Sequence, residues 1–324
     1  MNTSKWSYTR GLHDLGNGSW AYLQPDGSWG WSNGGLVNDG DQSMIVDTLF
    51  DLKLTREMLL AMRSAAPRAT TSIDLLVNTH SNGDHCNGNQ LVSAREIIAS
   101  KAAAEEMRHE GPAALAAAMR NSATMGTAGE FFRRIFGPFD FEGITQSLPT
   151  WTFEGSCERK VGAKTVKLIQ VGPAHTRGDI LVQVPDDRTV FTGDILFIGG
   201  HPIAWAGPVS RWIEACQRIL DMDVETIVPG HGPITDKRGV AAVKTYLEEV
   251  SRETRKRFDL GLSSFEAAKD ISRSSFPKSN YSSWTDADRI AVTVATLYRE
   301  YSGDQTPPNV FGLFAEMASL AAAR

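Results

Sequence analysis

Thr79-His80-Ser81-Asn82-Gly83-Asp84-His85 follows directly on the short, mostly apolar run Ile73–Asn78. Such a run ending in a polar, glycine-containing segment reads as a buried strand that delivers a tight loop. Within six residues the loop carries three side chains able to ligate a metal, His80, Asp84 and His85. Imidazole nitrogen and carboxylate oxygen both suit Zn²⁺, Fe or Mn²⁺, and bending three such groups toward one point makes sense mainly where a cation neutralises them. A catalytic divalent metal wants about three protein ligands and an open position, so other segments must contribute.

Three others have the same form, each just beyond an apolar strand. His175 follows Val166–Val171 in Gly172-Pro173-Ala174-His175-Thr176, Asp194 follows Thr189–Phe191 in Phe191-Thr192-Gly193-Asp194, and His231 follows Thr226–Val228 in Pro229-Gly230-His231-Gly232. Glycines beside Asp84, Asp194 and His231 let the backbone turn sharply where loops converge. Around these strands the periodicity predicts hairpins at Ser19–Leu23 and Ser28–Ser32, a strand at Met44–Val46, and helices at Leu52–Met62 and at the alanine-rich Ile97–Met107. An irregular, phenylalanine-rich helical stretch runs from His109 to Trp151. Strands recur at Val166–Val171, Ile180–Val184, Thr189–Phe191 and Glu225–Val228, with a helix at Val209–Leu220. Beyond Thr235 the pattern is helical, at Val240–Phe258, after a capping box Ser263-x-x-Glu266, at Ala287–Tyr301 and at Val310–Ala323.

Composition sets the outer limits. With 33 Lys plus Arg against 38 Asp plus Glu, the net charge of -5 and the absence of a basic cluster speak against a nucleic-acid partner. No stretch reaches the roughly 20 apolar residues of a membrane span, and Met1–Arg10 has no apolar core of an export signal, so the expected location is cytoplasmic and away from membranes. Cys86, Cys157 and Cys216 form an odd, scattered set that reads as small buried hydrophobes in a reducing compartment.

The ordered set of loops resembles the metallo-β-lactamase superfamily, whose defining loop is His-x-His-x-Asp-His, followed by a lone His, a lone Asp and a final His. Phe191-Thr192-Gly193-Asp194-Ile195-Leu196-Phe197 is similar to the glyoxalase-II type of hydrolase. Gly172-Pro173-Ala174-His175-Thr176 and the helical tail have some likeness to metallo-β-lactamase-fold polyketide cyclases. The resemblance implies an α/β fold, an αββα sandwich, with a C-terminal helical extension. The expected layout is a catalytic domain over residues 1–235, with a helical insertion at 101–160 near the site, and helices at 236–324 packed on the core. It further implies that His80 and His175 hold one metal, that Asp84, His85 and His231 hold a second, and that Asp194 bridges them. Asn82 stands where the family has its second histidine. Its amide oxygen is a neutral, weaker ligand, and Asn in a loop serves a turn equally well.

The implied chemistry is hydrolysis of an ester, lactone, thioester or amide of a small to medium-sized organic substrate. Metal-bound hydroxide is the nucleophile, with one or two Zn²⁺, or Fe or Mn in their place. Asp84 and Asp194 are the candidate catalytic residues, Asp84 as ligand or as proton carrier. Trp31, His201 and Trp205 are candidate pocket walls near the site mouth. The aromatic segment Phe131–Phe141 and Trp29 are further candidates to cover an apolar substrate, although helical Phe spacing is more often core packing. Three alternatives stand beside hydrolysis. The first is a metal-dependent cyclase or lyase of polyketide-type metabolism. The second is a non-catalytic metal-binding protein in which Asn82 marks a decayed site. The last is an iron-type redox role, disfavoured because no flavodoxin-like segment is attached. The helical tail serves as a lid, a homodimer surface or simple packing.

Overall fold

Alternation along the strands decides which residues meet between the two sheets. The computed structural model describes residues 6–109, 111–276 and 279–323, so the Met1–Arg10 reading lies partly outside the described residues. Seven strands form one sheet in chain order: β1 (Gly11–Gly16), β2 (Ser19–Leu23), β3 (Gly34–Asp39), β4 (Gln42–Val46), β5 (Ile73–Val77), β6 (Ala94–Ser100) and β7 (Trp151–Phe153). Strands β1 to β4 pair antiparallel, and β4 to β7 pair parallel. The second sheet holds β8 (Ser156–Val161), β9 (Lys164–Gln170), β10 (Ile180–Val184), β11 (Thr189–Phe191) and β12 (Thr226–Val228). It is antiparallel except for the β11–β12 pair.

Met44 and Val46, Val166 and Leu168, and Ile180, Val182 and Val184 share one buried cluster, whereas their neighbours Ile45, Ile169 and Leu181 belong to another. A side-chain period of two puts such neighbours on opposite faces, so the first cluster fills the space between the sheets and the second lies under the helices. Gly35 in β3 allows the sheets to approach, since a Cβ there would enter the ring of Phe191 in β11.

The helices are α1 (Leu52–Ala65), α2 (Gly83–Cys86), α3 (Lys101–His109), α4 (Pro112–Asn121), α5 (Gly126–Phe136), α6 (Val209–Asp221), α7 (Lys237–Asp259), α8 (Ser264–Ser274), α9 (Ile290–Ser302) and α10 (Val310–Ala322). Helix α1 buries Leu54, Met58 and Met62, and α6 buries Trp212, Ala215, Cys216 and Ile219, both toward the outer cluster. The layering is the expected αββα sandwich. The capping box forms as read, with Ser263 Oγ accepting from Glu266 N and Glu266 Oε2 accepting from Ser263 N. No described helix is long and apolar enough to cross a membrane.

Three expectations need correction. Ser28–Ser32 is no strand: Asp26 Oδ1 accepts from Ser28 N at 3.0 Å and folds the segment into a turn, and β2 pairs with β1 and β3 instead. Helix does not begin at Ile97, because Ile97 and Ile98 pair with Leu76 and Val77 in β6, and α3 starts at Lys101. The expected insertion at 101–160 is helical only as far as Phe136, and its end supplies β7 and β8 to the sheets.

Candidate metal centre

Strand ends place the candidate ligands at one edge of the sandwich. The loop after β5 carries His80 and enters α2 with Asp84 and His85, while His175, Asp194 and His231 follow β9, β11 and β12. Two glycines make the convergence sterically feasible. Gly193 has φ +49°, where a Cβ would meet Thr79, and a Cβ at Gly230 would strike Asp194 Oδ1.

Asp194 lies at the centre. Its Oδ2 is 3.7 Å from His80 Nε2, 3.3 Å from His175 Nε2 and 3.5 Å from His231 Nε2, and its Oδ1 is 3.1 Å from His85 Nε2. Asp84 Oδ2 is 3.3 Å from His231 Nε2 and 4.0 Å from His85 Nε2. Among the described residues, two triads have ligand atoms within 4.8 Å of one another, His80/His85/Asp194 and Asp84/His85/His231. His85 belongs to both, so these distances do not by themselves draw the division in which His85 serves one metal alone.

Each imidazole is oriented by a bond on its other nitrogen. Nδ1 of His80, His85, His175 and His231 lies 3.0 Å from Thr79 Oγ1, 2.9 Å from Asp47 Oδ2, 2.6 Å from the Ile203 carbonyl and 3.1 Å from the Gly27 carbonyl, respectively. That arrangement turns all four Nε2 atoms inward, as partners of metal-binding histidines do. Nε2 of His80, His85 and His175 and Oδ1 of Asp194 are buried without a hydrogen-bond partner. Stranding that many polar atoms together is costly unless something neutralises them. The donors are nitrogen and oxygen, which fit a divalent cation such as Zn²⁺, Fe or Mn.

The electrostatics agree. Burial drives His80 and His175 below the ordinary imidazole range, and the charge on His85 adds to the depression of both. Burial would also depress His85, but the carboxylates of Asp194, Asp84 and Asp47 outweigh it and hold that ring well above its usual value. His231 is pushed up to about 9, Asp194 overcoming the effect of burial. Asp194 itself, against burial, is held well below the usual carboxylate range by the surrounding imidazoles. A cation held here would compete with the protons that the carboxylates favour on His85 and His231, so loading it should release protons.

A cavity of about 620 Å³ opens onto this cage, lined by Asn82, Asp84, Asp194 and His231 and by the rings of Trp29, Phe136, Trp205 and Phe314. The structure thus brings together His80, Asp84, His85, His175, Asp194 and His231, and puts Trp205 on the cavity wall. Asn82 is half-buried, heads α2 without a side-chain capping bond, and also lines the cavity. The other two pocket candidates lie elsewhere. Trp31 is outside the lining and packs on Phe139, with centroids 4.8 Å apart. His201 is buried among Tyr246, Phe276 and Trp284. Sequence reasoning missed Asp47, although it follows a strand exactly as the ligands do, and it missed Arg289 and Phe314, which no motif marks.

A model of the metallo-beta-lactamase superfamily matches residues 28–231. The chain is 24% identical over 207 residues to the human acyl-coenzyme A thioesterase MBLAC2, which takes in 60% of this chain and 71% of that protein. It is 24% identical over 220 residues to the beta-lactamase-like protein 2 homolog of Caenorhabditis elegans, over 68% of this chain and 62% of that one. A hydroxyacylglutathione hydrolase of Brucella anthropi is 23% identical over 168 residues, about half of each chain. Among solved structures, the sec-alkylsulfatase Pisa1 from Pseudomonas superposes with a TM-score of 0.66 at 15% identity, covering 93% of this chain and 52% of that one. A metallo-beta-lactamase from Pontibacter korlensis gives 0.53 at 16% identity over 73% of this chain and 98% of that one. With the matched segment containing every strand-end histidine and aspartate of the cage, the chain belongs to the metallo-β-lactamase superfamily.

Proposed function

We propose that this protein is a metal-dependent hydrolase that cleaves an ester, thioester, lactone or amide of a small to medium-sized, partly apolar substrate. The observation that carries the reading is the convergence of four inward-facing imidazole nitrogens on Asp194, with several of these atoms buried and unpartnered. His80, Asp84, His85, His175, Asp194 and His231 would hold one or two divalent ions, Zn²⁺ first among the candidates. Asn82 would be a weak additional ligand, so that the site nearest it binds less tightly. A bound cation would supply Lewis acidity, polarising a carbonyl and lowering the pKa of water from about 16 toward about 7.

The chain's own residues do the rest. Asp84 is the carboxylate with an open side, 13% of its side chain remaining exposed at the cavity. Where it does not ligate the cation, it would orient the attacking water or pass a proton to the leaving group. Trp29, Phe136, Trp205 and Phe314 receive the apolar part of the substrate and exclude water from the reacting centre.

The test couples metal content with turnover. Protein purified without chelator is assayed for metal and for hydrolysis of an ester, lactone and thioester panel in ¹⁸O-water. Asp194→Ala should lose metal and lower turnover by at least about a thousandfold while remaining folded. Asn82→His should raise the metal content toward two per chain. Retention of metal and rate by Asp194→Ala, or products without ¹⁸O, would sink the reading.

A further inference from the structure

Arg289, in the turn leading into α9, is only 2% exposed. It nevertheless lines the same cavity as Asp84, Asp194 and His231. Its guanidinium carbon lies 4.6 Å from the ring centroid of Trp29 and 5.2 Å from that of Phe197. Phe197 stacks in turn on His231, with centroids 5.1 Å apart and planes at 7°. The cation therefore sits one ring away from the candidate cage.

A guanidinium does not give up its proton, so a buried one must be neutralised and have its N–H groups satisfied. The protein does this only loosely. Nη2 lies 3.2 Å from Asp286 Oδ2, and Nη1 donates to the His201 carbonyl at 3.3 Å. Both are long for charge-assisted bonds, which close to about 2.7–2.9 Å. Nε is buried with no partner, and so is Nε1 of Trp29, the ring against which the guanidinium rests. Arg299, further along α9, also lines the cavity and also has a buried Nε without a partner. The unsatisfied atoms of Trp29, Arg289 and Arg299, which line this wall, are all donors, two of them on cations, while the buried carboxylate of Asp288 beside Arg289 lies outside the lining. At the cage, Asp194 Oδ1 is an unsatisfied acceptor among imidazoles. One cavity therefore has an acceptor-seeking end and a cation-seeking end, joined by apolar rings.

We infer that Arg289 is a specificity-determining residue that receives a carboxylate carried by the substrate, with Trp29 Nε1 as a second donor. The substrate class is an acyl compound with a ring-sized apolar body and an anionic carboxylate distal to the bond that is cut. This rests on the hydrolytic reading for the cut bond, but not for the anion site.

Two arms separate the two ideas. In the first, kcat/KM is measured for 4-carboxyphenyl acetate and for its neutral methyl ester, in wild type, Arg289→Gln and Arg289→Lys. The preference for the anionic ester should fall about 10- to 100-fold in Arg289→Gln, the range expected for a charge-assisted bond, and less in Arg289→Lys, which keeps the charge without the planar fork. In the second, calorimetry compares naphthalene-2-sulfonate, a poor metal ligand, with the neutral 2-(methylsulfonyl)naphthalene. Wild type should bind the sulfonate at least about tenfold tighter, and Arg289→Gln should abolish that difference. Equal binding of the two probes by wild type overturns the proposal even where Arg289→Gln fails to fold, as does a preference that survives in a folded Arg289→Gln. Absence of turnover with both esters, alongside an intact sulfonate preference, would fell the hydrolytic reading and leave the anion site standing.

Discussion

Asp47 holds a left-handed backbone at φ 60°, a conformation that a non-glycine residue keeps only where its surroundings demand it. The demand is visible in its bonds. Oδ1 accepts from Thr79 N and Oδ2 from Thr79 Oγ1, both at 2.7 Å, and Oδ2 also lies 2.9 Å from His85 Nδ1. One buried carboxylate thus fixes both the start of the ligand loop and the imidazole shared by both triads. Asp47→Asn should leave the fold intact and weaken metal affinity about 10- to 100-fold, as loss of a partner behind a ligating histidine does, measured by competition with a chromogenic chelator. Unchanged affinity would mean that Thr79 and packing orient His85 without it. At this scale the cage was legible because ligand residues recur at strand ends in an order that chance does not produce. Arg289 was not, since a lone arginine before an apolar helix looks like any solvated charge until its burial is known.

Among the elements, α8 shows a local signal deciding a boundary. Ser263 and Glu266 exchange bonds at the helix start, and Ala267, Ala268 and Ile271 bury the inner face. Ser263→Ala should cost about 1 kcal/mol in denaturant unfolding, with no change in metal content. A loss indistinguishable from zero would show that tertiary packing alone sets this end. Where local signals conflict, tertiary pairing wins. The alanine-rich stretch Ile97–Met107 reads as helix, yet Ile97 and Ile98 are taken into the parallel ladder beside β5. The hairpin expected at Ser28–Ser32 fails for a local reason instead: Gly27 N donates to Gln24 O and Trp31 N to Ser28 O, so the segment folds into turns. Cys157 departs from the buried reading as well, being half-exposed on β8, whereas Cys86 and Cys216 are buried as expected.

For the whole molecule, an ion held by groups from four separate segments would bind the folded chain and not the unfolded one. Saturation at about a hundred times Kd would then add about 2.7 kcal/mol to stability. Chelator-treated protein should accordingly melt at lower temperature, recover its Tm on titration with Zn²⁺, and show no such recovery as Asp194→Ala. A Tm indifferent to Zn²⁺ would argue that the buried histidines are satisfied by protons alone. The αββα layering followed from the motif resemblance, whereas the way the last helices meet the cavity did not, because amphipathic spacing names a buried face without naming what it covers.

The cavity draws the candidate ligands on its wall from loops between residues 80 and 231, and other parts of its wall from Arg289, Arg299, Val310 and Phe314. The two parts answer to different stretches of chain. Substitutions in the final helices can therefore reshape what the cavity admits without touching the buried histidines and aspartates of the cage, so a lineage can try new diets while keeping its teeth.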